Sequence, residues 1–212
     1  LLCEFVGAGS GEAFAELVRR YAGLVTGTAA RVTGNRETAE DVAQEVFALL
    51  ARKAPAVEPA NLGGWLHRVA VRRAVAARRR SETQAQRDLA AFMNTEMVTE
   101  SAPDSHWVEV LPALDRALDS LSAEDRAVVM LRYYEQLSWH EIAARLPLTA
   151  DAARKRTVRA IELLGRKLKA RGVRTTVAAL AAGLAAQWKA EAATAVSPRL
   201  AARALTKAGK LP

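Results

Sequence analysis

Between Phe14 and Val25 the apolar side chains Phe14, Leu17, Val18, Tyr21 and Val25 recur three and four residues apart, the interval at which an α-helix presents one stripe. Ser10 is placed to cap that helix, and Gly34 to end it. The next run, about Glu37 to Lys53, sets Val42, Val46, Leu49 and Leu50 on one face and Asp41, Gln44, Glu45, Ala48 and Arg52 on the other. One face is therefore expected to pack and the other to stay free for a partner. Pro55 and Pro59 impose a loop, and Asn61 stands where it would cap the next helix. That third helix, Leu62 to Arg80, ends in Arg78, Arg79 and Arg80.

The second half repeats the helical pattern with sharper punctuation. A helix over about Trp107 to Leu121 is followed by Ser122, whose hydroxyl can cap the next helix with Asp125 at its third position. Ser138 and Glu141 form a second capping box, opening a short helix from Trp139 to Leu146. The segment Pro147, Leu148, Thr149 then turns the chain into a long basic helix from Ala150 to about Arg171. A short helix, a tight turn and a long basic helix outline a helix-turn-helix. Ala, Leu and Val dominate the apolar half, aromatics make up only 5% and long stretches lack Gly and Pro, so the expected fold class is all-α: two small helical domains joined by a flexible linker, with a C-terminal helical extension.

Charge divides the chain at the same places. Residues 1–80 carry a net +4, 81–106 a net −4, 107–171 a net +3 and 172–212 a net +5, within a total of +8. This describes two basic domains, an acidic linker read as mostly extended, and a basic tail. A basic balance points to a polyanionic partner, nucleic acid or membrane surface. Cys3 is the single cysteine and His67, His106 and His140 are scattered, so no disulfide framework or zinc site is expected, and no metal or other cofactor. That usage suits a reducing cytosol. The N-terminus lacks the pattern of a secretory signal, and the absence of an initial Met implies that a few residues precede Leu1.

The residues with chemistry to offer are cationic. On the long helix Arg154, Lys155, Arg156 and Arg159 face outward, while Ala153, Thr157, Ala160, Ile161 and Leu164 supply the inward face. Its first half, from Thr149 and Asp151 onward, has the shape and charge to enter a major groove, where Arg and Lys donate to guanine or clamp phosphates. A solvated basic face is the competing reading, and the capped helix and turn before it favour DNA. In the first domain Arg68, Arg72 and Arg73 follow a loop of small and apolar residues and Trp65. The helix dipole accounts for Arg78 to Arg80 but not for Arg68. Asp41, Gln44 and Glu45 form a polar patch with too few carboxylates for a metal site.

Four segments carry a family resemblance. TAEDVAQEVFALL, Thr38 to Leu50, resembles the polymerase-binding segment of the sigma-factor core, with Asp41, Gln44, Glu45 and Phe47 at its marked positions. NLGGWLHRVAVRR, Asn61 to Arg73, resembles the segment that melts and reads the minus-ten element. LSAEDRAVVMLRYYEQLSWHEIAARL, Leu121 to Leu146, followed by TADAARKRTVRAIELL, Thr149 to Leu164, resembles the minus-thirty-five-binding domain. Their order and the absence of a long intervening domain are those of the extracytoplasmic-function sigma factors of the sigma-70 family.

The resemblance implies a promoter-specificity subunit with no catalytic residue, whose partners are core RNA polymerase and promoter DNA and which admits an anti-sigma factor. It implies polymerase binding by Asp41, Gln44, Glu45 and Phe47, and minus-ten recognition by Asn61, Trp65, Arg68, Arg72 and Arg73. Minus-thirty-five recognition falls to Thr149, Asp151, Arg154, Lys155, Arg156 and Arg159. The acidic linker would thread near the polymerase active site. Relatives carry Asn and Asp in the helix after the loop, where this chain has Arg72 and Ala76. A stand-alone helix-turn-helix regulator would use residues 107–171 alike, but leaves TAEDVAQEVF unexplained. A membrane-surface protein built on the tail is a third reading. Val177 to Trp188 is too short to span a bilayer, and Val177, Leu180, Leu184 and Trp188 fit one helical stripe expected to dock on the protein or on a partner.

Overall fold

The computed structural model describes residues 1–91, 106–173, 175–192 and 199–210, and among these all regular structure is helical. Helix α1 (Leu2–Ala8) precedes the expected elements and packs on α2 (Gly11–Thr33). Ser10 caps α2 by accepting from the Ala13 amide at 3.1 Å, and Gly34 ends it at φ 69°, a left-handed value that glycine adopts without strain. Asn35 caps α3 (Arg36–Lys53) through the Thr38 amide. The two prolines give two single 3-10 turns, Ala54–Ala56 and Pro59–Asn61. Asn61 lies inside the second turn and its Oδ1 has no hydrogen-bond partner, so it does not cap the succeeding helix.

Helix α4 runs Leu62–Ala91, eleven residues past the expected end at Arg80. Nothing from Ser81 to Ala91 breaks a helix: the stretch holds Glu, Gln, Ala, Arg and Leu and no Gly or Pro. The part of the acidic linker expected to be extended that falls at 92–105 lies outside the described residues. The second half obeys its punctuation: α5 (His106–Asp119), α6 (Ala123–Val129), a π-helical turn (Met130–Tyr134), α7 (Trp139–Arg145) and α8 (Ala150–Lys169). The Ser138–Glu141 capping box is complete in both directions. The tail forms α9 (Val177–Ala192) and α10 (Arg199–Lys210).

A single apolar cluster runs through both halves and the tail. It takes Phe14, Leu24, Phe47 and Leu66 from the first half, Leu118, Met130 and Ile161 from the second, and Leu184, Trp188 and Ala204 from the tail. The helix-turn-helix adds a small core of its own, Val128, Leu131, Leu137, Ile142 and Ala153. Each Leu or Ile removed from water in this way contributes roughly 1.5–3 kcal/mol. The halves are thus packed together through the same core, an arrangement that the sequence pattern, taken helix by helix, does not contain.

Polar groups lock the same junction. Arg31 of α2 forms a two-pronged ion pair with Asp115 of α5, at 2.8 and 3.1 Å, and a further one with Glu191 of α9. Asp115 also accepts from His67 Nε2 of α4 at 3.0 Å. Tyr21 stacks on Tyr134 at 5.8 Å between ring centres, and Trp188 meets Tyr134 edge-on at 6.1 Å. Tyr134 donates to the Arg20 carbonyl and Tyr21 to Glu135, both at 2.8 Å.

Candidate polymerase and promoter interfaces

Helix α3 departs from the expected division into a packed and a free face. Asp41 is exposed and Glu45 half-buried, but Gln44 and Ala48, placed by their spacing on the free side, are buried. The reason is a third neighbour: α10 packs along α3 in addition to α2 and α4. Phe47 lies wholly in the core. Glu45 faces Arg73 of α4 at 3.9 Å and Lys207 of α10 at 3.8 Å.

The 3-10 turns and the start of α4 bring Asn61, Trp65, Arg68 and Arg72 to one side of the first half. Gly64 sits where a Cβ would come within 3.5 Å of the Arg126 side chain and 2.7 Å of Asn61 Oδ1, so the missing side chain lets α6 approach α4 closely. Arg126 is buried and donates to the carbonyls of Leu118, Asp119 and Leu121 at 3.0, 3.0 and 2.7 Å, closing the C-terminal end of α5. Burial, and then the neighbouring Arg68 and Arg72, hold its proton affinity below the usual guanidinium value. Arg68 and Arg72 pair with Asp119 at 3.5 and 3.7 Å. Arg68 Nε and Asp119 Oδ1 have no hydrogen bond, so the pair is loose. Two guanidiniums share the one Asp119 carboxylate beside the buried Arg126, an excess of positive charge suited to a phosphate backbone.

The helix-turn-helix has the expected geometry. Thr149 caps α8 by accepting from the Ala152 amide at 3.2 Å, and Ala153, Thr157, Ala160, Ile161 and Leu164 are all buried. Arg154, Lys155 and Arg159 are exposed on the outer face. Asp151 pairs with Lys155 at 2.7 Å and with Arg154 at 3.5 Å, and these cations hold its carboxyl below the usual range. Arg156 differs from its neighbours: it reaches back to α6, pairing with Asp125 at 2.9 Å and with Glu124. Arg132 donates to the Leu137 carbonyl at 2.8 Å and stacks on Trp139, fixing the turn between α6 and α7. A cleft of about 340 Å³ separates Asn61 and Glu58 from Leu148 and Arg156, so the loop before α4 and the recognition helix face one another.

Asp119 and Glu124, which pair with candidate DNA-binding arginines, and Arg126, which lies beside them, were not anticipated from the sequence. Asp119 meets its arginines only when the halves pack together, Glu124 meets Arg156 only when α6 packs on α8, and Arg126 folds back on the end of α5.

Sigma-70 region 2 matches residues 17–83 of this chain and sigma-70 region 4 matches residues 111–164. The chain is 31% identical over 160 residues to RNA polymerase sigma factor CarQ of Myxococcus xanthus, covering 74% of this chain and 89% of that protein. It is 34% identical over 187 residues to ECF RNA polymerase sigma factor SigL of Mycobacterium tuberculosis, covering 78% and 97%. This chain belongs to the extracytoplasmic-function sigma factors.

The sigma factor is also 34% identical over 143 residues to ECF RNA polymerase sigma factor SigE of Mycolicibacterium smegmatis; that match takes in 66% of this chain but spans only 56% of the relative's length. A solved complex of the sigma factor RpoE with the anti-sigma factor NepR from Bartonella quintana aligns at 22% identity over 69% of this chain and 90% of that one, with a TM-score of 0.30, too low to carry a structural argument. The region 2 match takes in α3, the loop and most of α4, and the region 4 match runs from α5 into α8. Helices α9 and α10 of the sigma factor lie beyond both. Among the described residues no helix is long and apolar enough to cross a membrane, and no cluster of metal-ligating side chains occurs.

Proposed function

We propose that this sigma factor directs promoter-specific initiation by docking on core RNA polymerase through α3 and reading promoter DNA at two places. Residues 1–80 form the polymerase-binding and minus-ten module, 107–171 the minus-thirty-five module, and 81–106 the acidic connection between them. The observation that carries this reading is the presence of region 2 and region 4 in order in one chain, with exposed cations at Arg72 and Arg73 in the first and at Arg154, Lys155 and Arg159 in the second. A stand-alone regulator needs only the second.

In this mechanism Asp41, Gln44 and Glu45 supply the polar edge that meets polymerase, with Phe47 supporting it from inside. Residues 54–64 hold bases flipped from the non-template strand. Flipping costs a few kcal/mol per base, and Arg68, Arg72 and Arg73 offset it by holding phosphates, with Trp65 a stacking platform and Asn61 a hydrogen-bonding one. Asp119 occupies Arg68 and Arg72 in the free factor, so region 4 swings off region 2 before single-stranded DNA enters. The α8 residues Arg154, Lys155 and Arg159 enter the major groove, with Thr149, Asp151 and Arg156 shaping the helix start. No group in this scheme makes or breaks a covalent bond; the chain recognises and positions. A cytoplasmic location accords with that role.

The test is co-elution of the purified chain with core polymerase, and then transcription from a random promoter library. Holoenzyme formation with an enriched promoter motif is expected. Absence of both co-elution and promoter-dependent transcripts overturns the reading.

A further inference from the structure

We infer that α9 and α10 are an intrachain clasp that covers α3 and holds the two halves of the factor together, so that core polymerase has to displace it. The inference rests on α3 being the docking helix.

The contact is extensive and specific. On α10, Leu200 and Ala204 are buried in the shared core, and Lys207 sits 3.8 Å from Glu45, one of the docking residues. On α9, Leu180, Leu184 and Trp188 are buried, and the helix packs against α2, α8 and the π-helical turn, bridging both halves. The first half is shaped to receive it. Gly27 lies in the middle of α2, where glycine costs about 1 kcal/mol relative to alanine. A Cβ at that position would stand 2.7 Å from Glu191 Oε1 of α9. The glycine therefore opens the space that the Glu191 carboxylate fills on its way to Arg31.

The clasp is separate from the modules it covers, since both family matches end before it begins. A partner that engages Gln44 and Glu45 meets α10 on the same helix, so both cannot occupy it at once. Opposite charge adds to the fit: residues 172–212 carry a net +5, Lys207 pairs with the half-buried Glu45, and Glu37 and Asp41 stand exposed on the same helix. Polymerase docking and tail docking thus compete for one surface, and removal of the tail exposes α3 and frees the halves to separate.

Two full-length variants attack the contact from opposite sides. Ala204→Glu places a charge in the buried face of α10, and Gly27→Ala obstructs Glu191 while raising the helix propensity of α2. Each is expected to tighten binding to core polymerase about ten-fold, the factor that about 1.4 kcal/mol of competing contact represents, and to raise promoter-directed transcription. Hydrogen exchange on the unmodified chain is expected to show α10 amides protected in the free factor and exposed once core polymerase is added. If both variants bind core no tighter than the parent, or α10 stays protected in the complex, the clasp is wrong. Asp41→Arg in the Ala204→Glu background separates the two readings. Loss of binding there supports α3 as the docking helix, and retained binding removes that assignment and the clasp with it. Should Ala204→Glu fail to fold, Gly27→Ala, which inserts no charge, decides the matter.

Discussion

Asp115 stands where the stripe of its own helix asks for an apolar residue, among Leu111, Leu114 and Leu118. Such a carboxylate is tolerated only with partners. Burial raises its pKa, but Arg31 and His67 outweigh that and hold it below the usual carboxylate range. Glu191 shares Arg31 and behaves oppositely: burial dominates, the pull of Arg31 and Gln187 does not offset it, and nearby Asp115 adds to the rise. The signs of the two pH dependences therefore differ. Asp115 contributes stability above its unfolded pKa, lost as pH falls through the folded one. The contribution of Glu191 is present below its unfolded value and lost as pH rises through its raised folded value. Asp115→Asn is expected to cost about 3–5 kcal/mol at neutral pH, because it leaves Arg31 short of a partner in a buried site. Glu191→Gln mimics the protonated form, so its melting temperature should gain on the parent as pH rises from about 4 to about 7, across and above the unfolded carboxylate range. A thermal melt series over that range checks both, and a Glu191→Gln variant that loses ground as pH rises would reverse the assignment.

Among the elements, the helix-turn-helix is the one most tightly specified by local chemistry. Ser138 bonds the Glu141 amide while Glu141 returns to the Ser138 amide, so Ser138→Ala should cost about 1 kcal/mol, read as a lower denaturation midpoint with an unchanged slope. Along α8, arginines of similar sequence context have different work. Arg154→Ala is expected to change discrimination among upstream promoter elements by about 1–3 kcal/mol if its guanidinium reaches a base edge, or to weaken all sequences alike and lower the salt slope by about one if it holds a phosphate. Arg156→Ala breaks the tie between α8 and the two acids of α6, and its expected first effect is a stability loss of roughly 1 kcal/mol. Equilibrium binding to a promoter panel at two salt concentrations, beside a urea melt, distinguishes the two arginines.

At the scale of the molecule, part of the surface proposed for DNA is turned toward the other half, while Arg154, Lys155 and Arg159 stay exposed on the outer face. Asp119 pairs with Arg68 and Arg72, and the start of the recognition helix looks across a cleft at the loop before α4. Asp119→Ala removes the carboxylate that competes with phosphate, and binding of a single-stranded minus-ten oligonucleotide should strengthen by about 1 kcal/mol. Fluorescence anisotropy with the isolated factor measures it. Unchanged affinity would mean that Arg68 and Arg72 do not meet the strand.

Most of the helices and several of their caps are legible in the sequence, because each rests on neighbours within a few residues: Ser10 on Ala13, Thr149 on Ala152, the inward stripe of α8 on a period of 3.6, whereas α1, the run of α4 past Arg80 and the failure of Asn61 to cap are not. It also placed α9 by its stripe of Leu180, Leu184 and Trp188, all three of which are buried, although Val177 at the same spacing stays exposed. Which face covers which follows from long-range packing. The face of α3 expected to be free holds a buried Gln44 because a helix more than 140 positions later packs on it, and no periodicity within α3 encodes that neighbour. Arg31, Asp115 and Glu191 are three ordinary charges in the sequence, and they become one buried ion-pair site only when α2, α5 and α9 meet. Local hydrogen bonds and side-chain period are written in short stretches of sequence, whereas burial and pairing between distant elements depend on how their faces are apportioned once the whole chain competes for the same core.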